Sequence, residues 1–344
     1  MKNKIIITVG ISIIVITAAA ILYLMQNSHN NNLVNAKIIN PVYEIDQYSD
    51  SSFVDGKISA VVFHKDRYYV CETSTKRIVV LDSTFNYLHS IGASGQGPGE
   101  FLTPGCFEIY HDSIFVVDKS KSNIQVFTLD GKFKRELKLP MIPPENYKFA
   151  IKESGNIIMS LFKDDYAIHE IKEGKILRSF GEYIQKKSAR ETFLNGQRHI
   201  GIIGNNIFAV HEANPFIDLY NSDGDLLNTL NLEDLSIIRE LTIYRKNNPV
   251  SFNPKSILVS VYFQNICSYN NKIYILFNKV ISKQNHSVNV IVIKLNDDKL
   301  VLEDVITLND KENTSLRWGM SLCKTERNLL VSDGDENKIF IYNY

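Results

Sequence analysis

Residues 91 to 107 read IGASGQGPGEFLTPGCF, with Gly92, Gly95, Gly97 and Gly99 crowded into eight positions behind an apolar run. Glycine crowding of this kind can cradle a phosphate, because backbone N–H groups approach the anion closely and a helix N-terminus then faces it. A nucleotide loop of that type also needs a lysine and a hydroxyl residue after its last glycine. Here Gly99 is followed by Glu100 and Phe101, and the next segment is strand-like. No strand–helix–strand unit surrounds the glycines, so a dinucleotide site is excluded on the same ground. The residues suit a connector between two sheets instead: glycine permits the positive φ of a sharp path, Pro98 and Pro104 stiffen it, and Phe101 is expected to plug the gap between neighbouring sheets.

Other residues with chemical potential are few. Gln197-Arg198-His199 precedes one apolar strand and Arg317-Trp318 stands in the corresponding region of a later one. Arginine with tryptophan suits anionic or sugar ligands through charged hydrogen bonds and stacking, so Arg198, His199, Arg317 and Trp318 are the ligand-binding candidates. The competing reading is ordinary rim polarity with Trp318 packed. His211-Glu212, Asp118 and Asp333 close apolar strands, and the two aspartates are expected to accept from turn amides before Asn123 and Asn337. No serine nucleophile elbow, H-E-x-x-H or paired carboxylates stand out. DGDEN, residues 333 to 337, lacks the spacing and the later glutamate of an EF-hand. Cys71, Cys106, Cys267 and Cys323 contain no C-x-x-C pair and fall in or near apolar strands, which favours small buried hydrophobes over disulfides or zinc. No metal or cofactor is expected. A metal ion held in a channel would require ligands from several strands to converge on one axis.

These residues are positioned by a repeat. EIYHDSIFVVDKSKSNIQVFTLDGKFKRELKL, residues 108 to 139, alternates strands and polar turns as a four-stranded antiparallel meander. Partial copies run over residues 60–92, 150–181, 201–232, 265–308 and 321–344. Six copies of this size give an all-β fold, a six-bladed β-propeller of four-stranded antiparallel blades over residues 41–344. The sixth copy stops after its third strand, and a lone strand-like segment, PVYEID, precedes the first. Unpaired sheet edges are a liability, so residues 42–46 are expected to complete the last blade. Residues 182–197 and 231–249 interrupt the rhythm. In the second, Leu235, Ile238, Leu241 and Tyr244 fall three apart, which allows a short helix from about Asp234.

GEFLTPGCFEIYHDSIFVVDKSKSNIQVFTLDGKF is similar to an NHL-type repeat, and the G-x-G-P-G-E-F connector resembles the exported six-bladed propellers common in Bacteroidetes. The resemblance covers roughly residues 41 to 344 and is sharp in one blade. It implies a six-bladed propeller in an extracytoplasmic setting and no single activity.

The setting is also written at the N-terminus. Ile5 to Met25 is an uncharged apolar run whose helical length matches a bilayer's hydrocarbon core. Lys2 and Lys4 precede it and no basic residue follows until Lys37, which leaves residues 1–4 cytoplasmic and the rest outside. The expected order is a transmembrane anchor at 5–25, a polar asparagine-rich stalk at 26–40, and the propeller in the periplasm. Cleavage near Ala18-Ala19-Ala20 would release a secreted protein, but the apolar run continues past those residues. Lysine plus arginine equals aspartate plus glutamate at 38 each, so no basic field favours nucleic acid. A binding or interaction module is the leading reading, as a monomer facing an envelope protein or a carbohydrate; a metal-dependent hydrolase or lyase is the alternative.

Overall fold

The computed structural model describes residues 36–54, 57–143, 148–183, 192, 196–248, 262–282, 285–312, 314, 316, 319–334 and 337–344. The expected anchor, most of the stalk, Arg317 and Trp318 lie outside them. No helix among the described residues is long and apolar enough to cross a membrane.

Six antiparallel sheets follow one another along the chain: blade 1 over residues 58–91, blade 2 over 104–138, blade 3 over 150–182, blade 4 over 198–231, blade 5 over 263–308 and blade 6 over 319–343. In each blade the second and third strands are covered on both faces by neighbouring blades, which explains their largely apolar runs. Ile114–Val117 and Ile124–Phe127 of blade 2 are buried throughout. The outer strand Phe133–Lys138 is largely exposed, with Phe133 and Leu137 half-buried against the blade. Tight hairpins between first and second strands use residues that tolerate positive φ, such as Asn270 and Asn271. The core is divided among six hydrophobic clusters of described residues, one between each neighbouring pair of blades.

Blade 6 has only three strands of its own sequence. Tyr43–Ile45 pairs antiparallel with Ile339–Ile341 and supplies its outer edge, burying Ile45 between blades 6 and 1. The preceding residues correct the expected stalk boundary at residue 40. Lys37–Ile39 pairs in parallel with Ile306–Leu308 and forms a fifth strand on blade 5. The physical reason is the open edge of that blade's outer strand, against which the β-forming pair Ile38-Ile39 pairs its backbone. The helix Ser236–Asn247 follows blade 4, with Ile238 and Leu241 buried in the cluster between blades 4 and 5 and Tyr244 at the surface.

The glycine-rich connector joins blades 1 and 2. Gly92 and Gly99 take φ of +80° and +81°, and the Phe101 ring fills the space that a Cβ on Gly92 would need. Phe101 is fully buried among side chains of blades 1 and 2. The loop's polarity is the opposite of a phosphate cradle: the Lys121 ammonium donates to the carbonyls of Gln96, Gly97 and Glu100 at 3.0, 3.0 and 2.8 Å. Gln125 completes the tie, accepting from Gly99 N–H and donating to the Glu100 carbonyl. Lys121→Met should therefore lower stability by about 1–2 kcal/mol, read from the urea midpoint at unchanged slope; a shift indistinguishable from zero would contradict this role.

Asp118 does more than cap its own turn. Its carboxylate accepts from Leu102 and Thr103 N–H at 2.8 and 3.1 Å, fastening the connector to blade 2, and from Lys121 N–H at 3.3 Å. All four cysteines are free thiols. Burial pushes those of Cys71, Cys106 and Cys323 up to about 12.

Candidate functional site in the central channel

The first strand of every blade lines a central channel. By the antiparallel order, these strands begin on the face that carries the inter-blade connectors, called the upper face, and end on the lower face. Near the upper end, polar side chains sew neighbouring blades together. Ser59 Oγ donates to the Gly105 carbonyl across blades 1 and 2. Asn278 of blade 5 makes a reciprocal pair with the backbone of Gly319 in blade 6, at 2.8 and 3.1 Å.

His199 belongs to this stitching. Its Nδ1 accepts from the Lys148 backbone N–H at 3.4 Å, and its Nε2 donates to the Phe263 carbonyl at 3.3 Å. One imidazole thus joins blades 3, 4 and 5 in its neutral Nε2–H form. Complete burial lowers its pKa to about 4, against the usual 6.5. Arg198 points instead between blades 3 and 4. Its guanidinium donates to the Tyr220 hydroxyl at 2.9 Å and the Glu182 carbonyl at 2.7 Å, and lies 3.3 Å from the Asp218 carboxylate. Asp218 also accepts from Tyr220, from Thr229 at 2.7 Å and from His211 Nε2 at 2.7 Å. Burial alone would raise the Asp218 pKa, but His211, Arg198 and Thr229 bring it down to about 2. The structure gives Arg198 and His199 internal partners and only 2% exposure each. In this structure both side chains are spent on bonds between neighbouring blades. The other two candidates, Arg317 and Trp318, lie outside the described residues.

The lower half of the channel is different. A cavity of about 240 Å³ is bounded by the later residues of all six first strands, among them Val61, Glu108, Ile200, Ile266 and Cys323, with Lys148 at its wall. The Lys148 ammonium, its side chain 5% exposed, lies 3.5 Å from Glu108 Oε1, whose side chain is 30% exposed. Burial would depress the lysine, but the Glu108 carboxylate leads the charges that reverse this and leave it raised. Burial pushes Glu108 up as well, against the pull of Lys148. Lys148 and Glu108 were not among the residues singled out from the sequence. A signal existed: each is a lone charge inside an apolar inner-strand segment, KFAI and CFEI, where a charge has no place unless paired.

Among the described residues, no three His, Cys, Asp or Glu side chains form a group able to hold a metal ion. A second concavity lies outside the channel between blades 3 and 4, around Lys152, Glu170 and Arg178. Its charges are already matched: Arg178 bonds Glu170 and the Ser222 carbonyl, and Lys152 bonds Glu170 at 3.4 Å and Ser222 O at 2.9 Å.

Residues 47–229 match the DUF5128 family, described as a 6-bladed beta-propeller. The chain belongs to that family. No curated protein matches this DUF5128 propeller in sequence. Among solved structures, a candidate exported protein from Bacteroides fragilis NCTC 9343 is similar at TM-score 0.58 and 12% identity, over 89% of this chain and 99% of that one. A member of the DUF4221 family from Bacteroides vulgatus is similar at TM-score 0.53 and 12% identity, over 90% and 96%. At these identities the likeness is one of fold, and the DUF5128 propeller's chemistry has to be argued from its own channel.

Proposed function

We propose that this protein is an extracytoplasmic six-bladed propeller, tethered to a membrane through residues 5–25, that acts as a ligand-binding module through its central channel. The observation that carries the reading is the Lys148–Glu108 pair set into the wall of a cavity to which all six blades contribute. Lys and Glu are rarely buried unless paired, and a concave site with a few convergent polar groups is where small molecules usually bind. The exported status given to the Bacteroides fragilis protein is in keeping with the tether. An envelope protein or a carbohydrate would engage the outer surface rather than the cavity.

The competing metal-dependent hydrolase or lyase has no ligand set among the described residues, which favours the binding reading. Elemental analysis of the purified protein, with thermal melting in the presence and absence of EDTA, tests the choice. The expected result is no stoichiometric metal and an unchanged Tm. A bound metal whose removal lowers the Tm would contradict the binding reading and favour metal-assisted chemistry.

A further inference from the structure

The channel wall contains several polar side chains, and most are committed to the protein. Tyr110 donates its hydroxyl to the Glu153 carbonyl at 2.7 Å, and Ser268 donates to the Ile202 carbonyl at 3.2 Å. The Lys324 ammonium bonds the carbonyls of Thr325 and Glu326 and lies 5.4 and 5.8 Å from the centres of the Tyr269 and Tyr344 rings. Lys148 and Glu108 differ. The ammonium has three N–H donors, and its one side-chain bond among the described residues is the long contact to Glu108. The carboxylate is likewise left with acceptor capacity on the cavity side, since no other described group donates to it. Around them the wall mixes polar groups with the edges of apolar residues such as Phe63 and Ile202.

From this arrangement we propose that the channel binds a small neutral molecule with a head that both accepts and donates hydrogen bonds, a carboxamide or hydroxyl, on a compact body. The inference rests on the channel reading above and names its ligand class. The head's oxygen accepts from Lys148 while its N–H or O–H donates to Glu108, so both unused capacities are met at once. Charge selects against ions: Lys148 and Glu108 together are neutral, an anion reaching Lys148 also meets Glu108, and a cation reaching Glu108 also meets Lys148. Size limits the body. The cavity's 240 Å³ lies below the roughly 300–1,000 Å³ of pockets for drug-sized ligands, and holds about eight waters' worth of volume.

The test is a series of one shape and four heads: benzamide, benzyl alcohol, benzoate and benzylammonium, titrated against the full chain at neutral pH by ligand-observed NMR. Benzamide and benzyl alcohol are expected to bind saturably, about tenfold or more tighter than either ion. Lys148→Met should weaken benzamide about tenfold. Val62→Trp, which fills the cavity from blade 1, should abolish binding while leaving the melting transition cooperative. If benzoate binds tighter than benzamide and is lost in both variants, the ligand class is overturned while the channel site stands. If no probe saturates, or binding is the same in Val62→Trp as in the wild type, the channel reading falls with it.

Discussion

Asp218→Ala is expected to destabilise the protein by about 3–5 kcal/mol, the cost of leaving a buried charge without its partner. The carboxylate sits at the centre of a closed network between blades 3 and 4, taking hydrogen bonds from His211, Tyr220 and Thr229 and facing the Arg198 guanidinium. Its removal leaves that guanidinium, almost wholly buried, with only the Tyr220 hydroxyl and the Glu182 carbonyl. Asp218→Asn keeps the volume and part of the hydrogen bonding but loses the charge, and should cost less. Equilibrium urea unfolding of the two variants measures the difference. A loss below about 1 kcal/mol for Asp218→Ala would show that the network is dispensable and that blades 3 and 4 are held by their apolar cluster alone.

The second large effect is acid sensitivity centred on His199. The unfolded imidazole titrates near 6.5, and the folded one, enclosed and bonded as a neutral ring, near 4. Above pH 6.5 both states are neutral and the group has no effect on stability. Between pH 6.5 and 4 the unfolded chain takes up a proton that the folded chain refuses, so stability falls as pH falls, by about 3 kcal/mol across the window. His211 and His169, also lowered by burial, act in the same direction. His199→Gln retains a donor for the Phe263 carbonyl and removes the titration. Its stability should therefore depend on pH near 5 with a slope smaller by about one proton than the wild type. Equal slopes for the two proteins would mean that the ring is protonated in the folded state.

The repeat was legible because burial on both faces of a blade leaves a direct trace: second and third strands such as Ile114–Val117 and Ile124–Phe127 become largely apolar runs between polar turns. The Gly92–Gly99 connector was legible for a similar reason, since its glycines answer to backbone geometry. Lys37–Ile39 was not. It is a short strand beside an asparagine-rich stretch, and its partner, Ile306–Leu308, is set by the ring bringing distant segments together. Arg198 and His199 show a different limit. Their residue types mark a polar strand start, but whether such a side chain faces the channel or a neighbouring blade depends on the stagger of the sheets. Lys148 and Glu108 stand on different blades, and only the closed ring brings the ammonium and the carboxylate to 3.5 Å.

The most direct measurement of the central claim is a crystal structure of the full chain soaked with benzamide. The account predicts one ordered molecule in the lower channel, its oxygen within hydrogen-bonding distance of Lys148 Nζ and its nitrogen within reach of the Glu108 carboxylate. Benzamide bound instead in the concavity around Lys152 and Arg178, with the channel holding only water, would contradict it.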